Sequence, residues 1–288
     1  MLKERVITAL VMITALLLAL FLLSNAAFAF VILAIGGIAA WEWADLSSLS
    51  SPFERLAFAI VMVVIVAGLA DYLSLLQTSM LDSFSLSLVT PQALRDVLGL
   101  GVLFWSVALL WVISYPGSAA IWGKQYLRAL MGVFVLVPAL IALLFLNAQS
   151  NGHWLFLYMI GIVSSADIGA YFVGKAFGKK KLAPLVSPGK SWAGFFGGAA
   201  AVAIFALIMG LFLDVLRLSY TELVVITVVT GVASVLGDLL ESMIKRERGL
   251  KDSSQLLPGH GGVMDRIDSL SAAAPVFVLL AILLTDKF

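Results

Sequence analysis

The stretch Val6–Leu23, VITALVMITALLLALFLL, decides the fold class because it holds 18 consecutive residues without a charge. A helix rises about 1.5 Å per residue, and the hydrocarbon core of a bilayer is about 30 Å thick, so about 20 such residues cross it. Lys3 and Arg5 before the run and Ala27-Phe28-Ala29 after it resemble a secretory signal, but the apolar core of a signal holds about 7–15 residues. The run therefore predicts a retained membrane span.

Comparable apolar runs recur along the whole chain. Of its 288 residues, 62% are hydrophobic and 12% are charged, whereas soluble domains are about half apolar and a quarter charged. The predicted spans cover residues 6–23, 26–41, 56–76, 97–114, 127–147, 154–174, 192–213, 222–240 and 270–285. These runs predict an all-α fold, a polytopic transmembrane helical bundle of about nine spans, with eight as the alternative count.

No linker, low-complexity tract or internal repeat separates the predicted spans. We therefore expect a single integral membrane domain over residues 1–288. Within it, residues 1–150 supply the N-terminal helices, and residues 151–288 supply the catalytic helices and cytoplasmic loops.

The distribution of Lys and Arg indicates the orientation, because these residues accumulate in cytoplasmic loops. With nine spans and a cytoplasmic N-terminus, only Arg95, Arg217 and Lys287 of the 18 Lys and Arg residues fall outside. This orientation places two polar segments, Gly174–Lys190 and Glu241–Asp268, on the cytoplasmic side. We expect the bundle to bring them together.

Composition also excludes several functions. A formal net charge of +1 argues against a nucleic-acid partner, which would require a clear excess of basic residues. The absence of cysteine excludes disulfides, thiolate nucleophiles and cysteine-ligated metals.

Acidic residues at the ends of the last two spans indicate a ligand site. Asp238 follows fifteen uncharged residues and stands three positions before Glu241. Asp265 and Asp268 have the same spacing and would share one face of the last helix if it begins near them. An ionised carboxylate at the centre of a span costs about 2.5–3.5 kcal/mol, so such residues usually pair or bind something. Carboxylates from two helices, without thiols, suit Mg²⁺.

Basic residues and glycines beside these acids indicate phosphate. Pro258-Gly-His-Gly-Gly262 provides backbone that an anion can approach closely, since glycine accepts positive φ. Ser187-Pro-Gly-Lys-Ser191 is similar to the end of a P-loop, but Pro184 stands where that loop requires glycine. We reject the P-loop and retain Lys190 as a phosphate binder.

These residues together resemble the phosphatidate cytidylyltransferases, also called CDP-diacylglycerol synthases. The C-terminal motifs that carry the resemblance are Ser242-x-x-Lys245-Arg246, Lys251-Asp252, Pro258-x-His260-Gly261-Gly262 and Asp265-Arg266-x-Asp268. The upstream blocks that extend it are Asp167–Lys175, Leu182–Ser191 and Gly237–Ser242, with Trp41-Glu-Trp and Tyr115-Pro-Gly-Ser typical of the proteobacterial branch. Ile168 and Ala193 depart from common family patterns and receive no role.

The resemblance implies transfer of CMP from CTP to phosphatidate, with CDP-diacylglycerol and pyrophosphate as products, in phospholipid biosynthesis. It implies a multi-pass protein of the bacterial inner membrane whose active site faces the cytoplasm. The implied partners are CTP, phosphatidate and membrane lipid, and a homodimer stays open. Mg²⁺ or another hard divalent cation is the implied cofactor, with room for a second cation.

Our assignment of roles follows from this chemistry. Asp238 and Asp265 are assigned to the metal, with Asp268 as a third acid, and Lys245 and Arg246 are assigned as catalytic cations. The expected substrate-binding residues are Ser187, Lys190, Ser242, Lys251, His260, Gly261, Gly262 and Arg266. Lys245 and Arg246 are also expected to contact phosphate.

Two other functions compete with this reading. A CTP-dependent polyprenol or lipid kinase would need the same metal and basic residues but would release CDP. An ion-coupled transporter would use Asp167 and Asp238 as coupling sites. The charged cluster outside the bilayer and the missing repeat weigh against the transporter.

Overall fold

The structure, a computed structural model, describes residues 2–76, 91–212 and 219–284. Its helices are α1 (Leu2–Leu22), α2 (Asn25–Leu46), α3 (Pro52–Tyr72), α4 (Pro91–Ile113), α5 (Ala119–Trp122), α6 (Gln125–Ala148), α7 (Gly152–Phe177), α8 (Trp192–Phe212), α9 (Tyr220–Glu247) and α10 (Met264–Leu284). Two short strands, β1 (Lys181–Ala183) and β2 (Ser187–Ser191), lie between α7 and α8.

Eight of the described helices are long and apolar enough to cross a membrane, and α1 adds the shorter apolar stretch Val6–Leu22. The predicted polytopic helical bundle is therefore confirmed. The ends of two predicted spans, at residues 213 and 285, lie outside the described residues, as do Arg217 and Lys287.

Polar residues define where several helices begin. The Ser219 hydroxyl accepts a hydrogen bond from the Glu222 amide, and the Glu222 carboxylate accepts one from the Ser219 amide, at 3.3 and 2.8 Å. This capping box satisfies two amide groups that the first turn of α9 would otherwise leave without partners. The Ser24 hydroxyl likewise accepts from the Ala27 amide at the start of α2.

The centre of the bundle is α6, which packs against α2, α3, α4, α7 and α10. Most of its residues are buried from Met131 to Asn147. The most extensive pairings are those of α7 with α8 and of α9 with α10. The second pairing carries the predicted acids.

The last two long helices are longer than the predicted spans that they overlap. The predicted spans 222–240 and 270–285 leave a long loop, but α9 continues to Glu247 and α10 begins at Met264. Residues 241–245 are buried, and the Glu241 carboxylate pairs with the Lys245 ammonium one turn later. Packing and this pair stabilise helix beyond the apolar run, which leaves a loop of residues 248–263.

The β1–β2 hairpin was not predicted. Its strands are antiparallel, with Lys181 opposite Ser191 and Ala183 opposite Ser187. The Ser191 hydroxyl then accepts a hydrogen bond from the Gly194 amide at 3.1 Å, in the first turn of α8. The hairpin therefore leads directly into α8 and fixes where that helix begins.

Contacts between distant parts of the chain bring several helix ends to one end of the bundle. The Thr8 hydroxyl in α1 donates to the Pro258 carbonyl oxygen at 3.0 Å. The Arg248 side chain, just after α9, donates to the Asp45 carbonyl oxygen near the end of α2 at 3.1 Å. The 248–263 loop thus contacts both of the first two helices.

Candidate active site

The two predicted polar segments meet at this end of the bundle. The Arg246 guanidinium in α9 donates to the Val186 carbonyl oxygen in the hairpin and to the Leu250 carbonyl oxygen in the loop, both at 3.2 Å. The Lys190 ammonium in β2 forms an ion pair with the Asp238 carboxylate at 2.8 Å. The hairpin is therefore attached to α9 at two positions, two turns apart.

Asp238 lies where α9 packs closely against α10. Its second oxygen accepts a hydrogen bond from the Ser242 hydroxyl at 3.1 Å. Its neighbour Gly237 has no room for a side chain, because a Cβ there would overlap the Asp268 carbonyl oxygen on α10. Glycine at this position therefore lets α9 and α10 pack closely, and Asp238 and Asp268 interact electrostatically between the two helices.

Glu241 extends this acidic group one turn further along α9. Its side chain is 1% exposed and interacts electrostatically with Asp268 and Asp265. One oxygen, Oε2, accepts from the Lys245 ammonium at 2.7 Å. The other, Oε1, is buried without a hydrogen-bond partner among the described residues.

Asp265 is held by protein groups on both of its oxygens. Oδ1 accepts from the Lys245 ammonium at 2.6 Å, and Oδ2 accepts from the Ser253 amide, the Ser253 hydroxyl and the Gly262 amide, each at 2.8 Å. The Lys245 side chain is only 9% exposed. In this arrangement Lys245 joins two carboxylates, and its expected contact with phosphate stays a prediction.

The glycine-containing segment forms a tight turn between Leu257 and Gly261. The Leu257 amide donates to the Gly261 carbonyl oxygen at 2.8 Å, and the His260 amide donates to the Leu257 carbonyl oxygen at 2.9 Å. Gly261 has φ +82°, a backbone conformation that favours glycine. A Cβ on Gly262 would overlap the Ser253 hydroxyl oxygen. The His260 and Gly262 amides already have protein partners, so they are not open to an anion in this structure.

The remaining predicted residues surround this centre. Lys251 and Arg266 are exposed, and Ser187 is half-buried at the start of β2. Asp167 on α7 interacts electrostatically with Lys190, Asp238 and Arg266. Lys190 and Arg266 therefore lie within electrostatic range of the acids. The roles of Ser187, Lys190, Lys251 and Arg266 in substrate binding stay predictions.

Within the described residues, no three His, Asp or Glu side chains are placed to hold one metal ion. The expected set of Asp238, Asp265 and Asp268 is thus not one compact site in this structure. Both oxygens of Asp265 are instead bound by Lys245, Ser253 and Gly262.

Sequence reasoning gave no role to Glu42, which the structure places beside the 248–263 loop. Glu42 lies on α2, is fully buried, and accepts hydrogen bonds from two hydroxyls and two backbone amides of residues 253–264. An acid between two tryptophans at the end of an apolar run was the available signal. The predicted span 26–41 ended one residue before it.

Acids and cations collect where the helices of a membrane bundle end, an arrangement that suits an integral membrane protein with a site for anionic groups. The chain belongs to the cytidylyltransferase family, whose sequence pattern matches residues 3–284. It is therefore a nucleotidyltransferase.

Named relatives cover nearly the whole chain. The phosphatidate cytidylyltransferase of Pseudomonas aeruginosa is 43% identical over 280 residues, which are 97% of each chain. That of Haemophilus influenzae is 44% identical over 288 aligned residues, which are 96% of this chain and 97% of the relative. A Staphylococcus epidermidis phosphatidate cytidylyltransferase is 41% identical over 138 residues, which are 48% of this chain and 53% of the relative. The resemblance inferred from the motifs is confirmed.

Proposed function

We propose that this protein is a phosphatidate cytidylyltransferase. It transfers CMP from CTP to phosphatidate and produces CDP-diacylglycerol and pyrophosphate. The observation that carries the proposal is the 43% identity to a protein of that name over 97% of the chain. The charged centre at the ends of α9 and α10 supports it, because both substrates are anionic.

The reaction joins the phosphate of phosphatidate to the α-phosphate of CTP and releases pyrophosphate. A phosphate oxygen of phosphatidate attacks the α-phosphorus of CTP, and the bond from that phosphorus to the bridging oxygen of the β-phosphate breaks. The electron pair of the broken bond leaves with pyrophosphate. A phosphomonoester has a second pKa of about 6, so the attacking oxygen needs little deprotonation near neutral pH. Positioning and charge stabilisation are therefore the main tasks of the protein.

Several basic side chains are placed for these tasks. Lys190 lies 2.8 Å from Asp238, so a phosphate bound beside that acid is within reach of the same ammonium. Exposed Lys251 and Arg266 supply further positive charge at the rim of the centre. Arg246 contributes by joining the hairpin to α9 and to the loop. Together these cations offset the repulsion between two polyanionic substrates.

The acids fit a hard divalent cation such as Mg²⁺. Asp238 on α9 and Asp268 on α10 interact electrostatically, and Glu241 one turn further along α9 interacts with Asp268 as well. Mg²⁺ in proteins is usually held by one or two carboxylates plus water and substrate phosphates. We propose Asp238 and Asp268 as its two protein ligands, without Asp265, whose oxygens are bound by Lys245 and the loop. When bound, the ion offsets charge on the triphosphate and on the leaving pyrophosphate.

The proposed location is the bacterial inner membrane, with the active site facing the cytoplasm. The one-sided distribution of Lys and Arg supports this orientation. The meeting of α1, α2, the hairpin and the loop at one end of the bundle is consistent with it. Phosphatidate presents its headgroup at the same membrane surface.

Product analysis tests the proposal. Purified protein in detergent–phosphatidate micelles receives Mg²⁺ and CTP labelled in the cytidine ring, and the lipid and aqueous fractions are separated. We expect label in the lipid fraction and one pyrophosphate released per labelled lipid. Labelled CDP in water, with unlabelled lipid, would instead identify a CTP-dependent kinase. Asp238→Asn is the variant expected to lose the labelled lipid.

A further inference from the structure

Glu42 binds both ends of the loop segment that contains His260. Its Oε1 atom accepts from the Ser254 hydroxyl at 2.6 Å and from the Val263 amide at 3.0 Å. Its Oε2 atom accepts from the Met264 amide at 2.6 Å and from the Ser253 hydroxyl at 3.2 Å. Two donors thus precede the tight turn, and two follow it.

Glu42 also caps α10 from outside that helix. Val263 and Met264 carry amide groups at the beginning of α10, where a helix leaves N–H groups without partners and carries partial positive charge. Among the described residues, no Lys or Arg forms an ion pair with Glu42. Hydrogen bonds and the helix end are therefore what stabilise this fully buried carboxylate.

The same hydrogen-bond network reaches the acidic centre. The Ser253 hydroxyl lies 3.2 Å from Glu42 Oε2 and 2.8 Å from Asp265 Oδ2, so the two carboxylates share it. Asp265 in turn accepts from Lys245, which also pairs with Glu241 on α9. A displacement of residues 253–254 would therefore move Asp265 as well as the turn.

We propose that Glu42 is a positioning residue for cytidylyl transfer. It fixes residues 253–254 against residues 263–264, so that the intervening turn and Asp265 are held in place before substrate arrives. This inference rests on the proposed function. It adds a residue of α2 to those that support catalysis.

The principal test is Glu42→Gln, which keeps the size of the side chain and replaces one acceptor oxygen by an NH₂ group. Whichever way the amide turns, that group faces a backbone N–H that needs an acceptor. We expect kcat/KM per folded molecule to fall about 10- to 100-fold, the usual effect of removing a residue that orients a site. Glu54→Gln is the matched control, because Glu54 is exposed and, within the part of the chain that the structure describes, accepts a hydrogen bond from the Ser51 amide alone, at the start of α3.

A second readout follows the loop without any activity measurement. The chain has no cysteine, so Gln255→Cys gives a single attachment point for a nitroxide spin label. Gln255 is exposed and lies between the two pairs of residues that Glu42 binds. We expect Glu42→Gln to sharpen the electron paramagnetic resonance spectrum of this label, since the loop gains motion. Glu54→Gln should leave the spectrum unchanged.

Ser254→Ala keeps the test decisive if Glu42→Gln does not fold. It removes one donor to Glu42 and leaves the carboxylate with three. We expect kcat/KM to fall about 2- to 10-fold, the effect of one hydrogen bond, with a smaller sharpening of the spectrum. If the double variant folds, adding Ser254→Ala to Glu42→Gln should lower kcat/KM little further, because both changes act through the same contact.

Two results would overturn the inference. One is a kcat/KM for Glu42→Gln, or for Ser254→Ala if only that variant folds, within measurement error of Glu54→Gln. The other is lost activity with an unchanged spectrum, since Glu42 would then not act through the loop. If the unsubstituted protein forms no cytidine-labelled lipid, the proposed function fails by itself, and the spectra still decide whether Glu42 fixes the loop.

Discussion

Asp265→Asn is the substitution whose effect follows most directly from the structure. The carboxylate lies 2.6 Å from the Lys245 ammonium, and the two side chains are 5% and 9% exposed. Removing one partner of a buried ion pair costs about 3–5 kcal/mol. Lys245 keeps its pair with Glu241 at 2.7 Å, so the lower end of that range, about 3 kcal/mol, applies. If the amide oxygen stays toward Lys245, the NH₂ group faces three donors and the loss is similar.

We expect this cost of about 3 kcal/mol to fall on the productive arrangement of the site, so that it adds to the activation free energy. A rise of about 3 kcal/mol in that free energy corresponds to about a 100-fold fall in rate. We therefore expect kcat/KM for cytidine-labelled lipid to fall at least about 100-fold, while the protein still inserts into membranes. Asp96→Asn is the matched control, because Asp96 is exposed and contacts Gln92 on its own helix. Turnover by Asp265→Asn near the level of Asp96→Asn would refute the reasoning.

A double substitution separates the two roles open to Asp265. If Asp265 acts through its pair with Lys245, the loss of activity caused by Lys245→Met should be smaller in the Asp265→Asn background than in the unsubstituted protein. If Asp265 instead ligates the metal, the two effects should be closer to additive. Additive losses would therefore restore Asp265 to the metal site.

Three further predictions concern the metal, the hairpin and the loop. Asp268→Asn should raise the Mg²⁺ concentration for half-maximal activity by about tenfold or more, measured by metal titration after chelation, because it removes a proposed ligand; an unchanged requirement would contradict that assignment. Lys190→Met should lower kcat/KM about 10- to 100-fold through loss of a charge-assisted contact, whereas Lys179→Met, at an exposed lysine, should not; equal effects would reject a specific role. Gly262→Ala should lower the free energy of unfolding by about 1–3 kcal/mol, because the added methyl group overlaps the Ser253 hydroxyl oxygen. Thermal unfolding followed by tryptophan fluorescence measures this loss. Gly68→Ala should show no such loss, since, apart from the neighbouring backbone of its own helix, no atom of the described residues lies within 4 Å of the added methyl group.

The fold could be predicted because lipid imposes one strong requirement. A helix that crosses the hydrocarbon core needs a long apolar run, and such runs are visible without any knowledge of packing. Runs alone do not show where a helix ends once it leaves the bilayer. Residues 241–247 continue α9 because Glu241 and Lys245 pair along it and pack against other elements. Those contacts depend on the tertiary structure.

The sequence predicted which residues the candidate site contains better than it predicted the hydrogen bonds and ion pairs between them. The spacing of Asp238, Asp265 and Asp268 placed acids on two helices, and in the structure Asp238 and Asp268 interact electrostatically. Spacing could not show that Lys245 and the loop amides occupy Asp265. Nor could it connect Glu42 to residues more than 200 positions away, since that contact depends on how α2 packs in the bundle.

The length of α9 has a consequence for how the substrates reach the enzyme. Its 28 residues extend about 42 Å, against about 30 Å for the hydrocarbon core, so its last turns reach the depth of the lipid headgroups. A lipid substrate can then arrive by lateral diffusion within one leaflet, while the nucleotide arrives from water. The rate should follow the mole fraction of phosphatidate in the surface rather than its bulk concentration. Diluting the surface with an inert lipid would slow the enzyme even when the total amount of phosphatidate is unchanged.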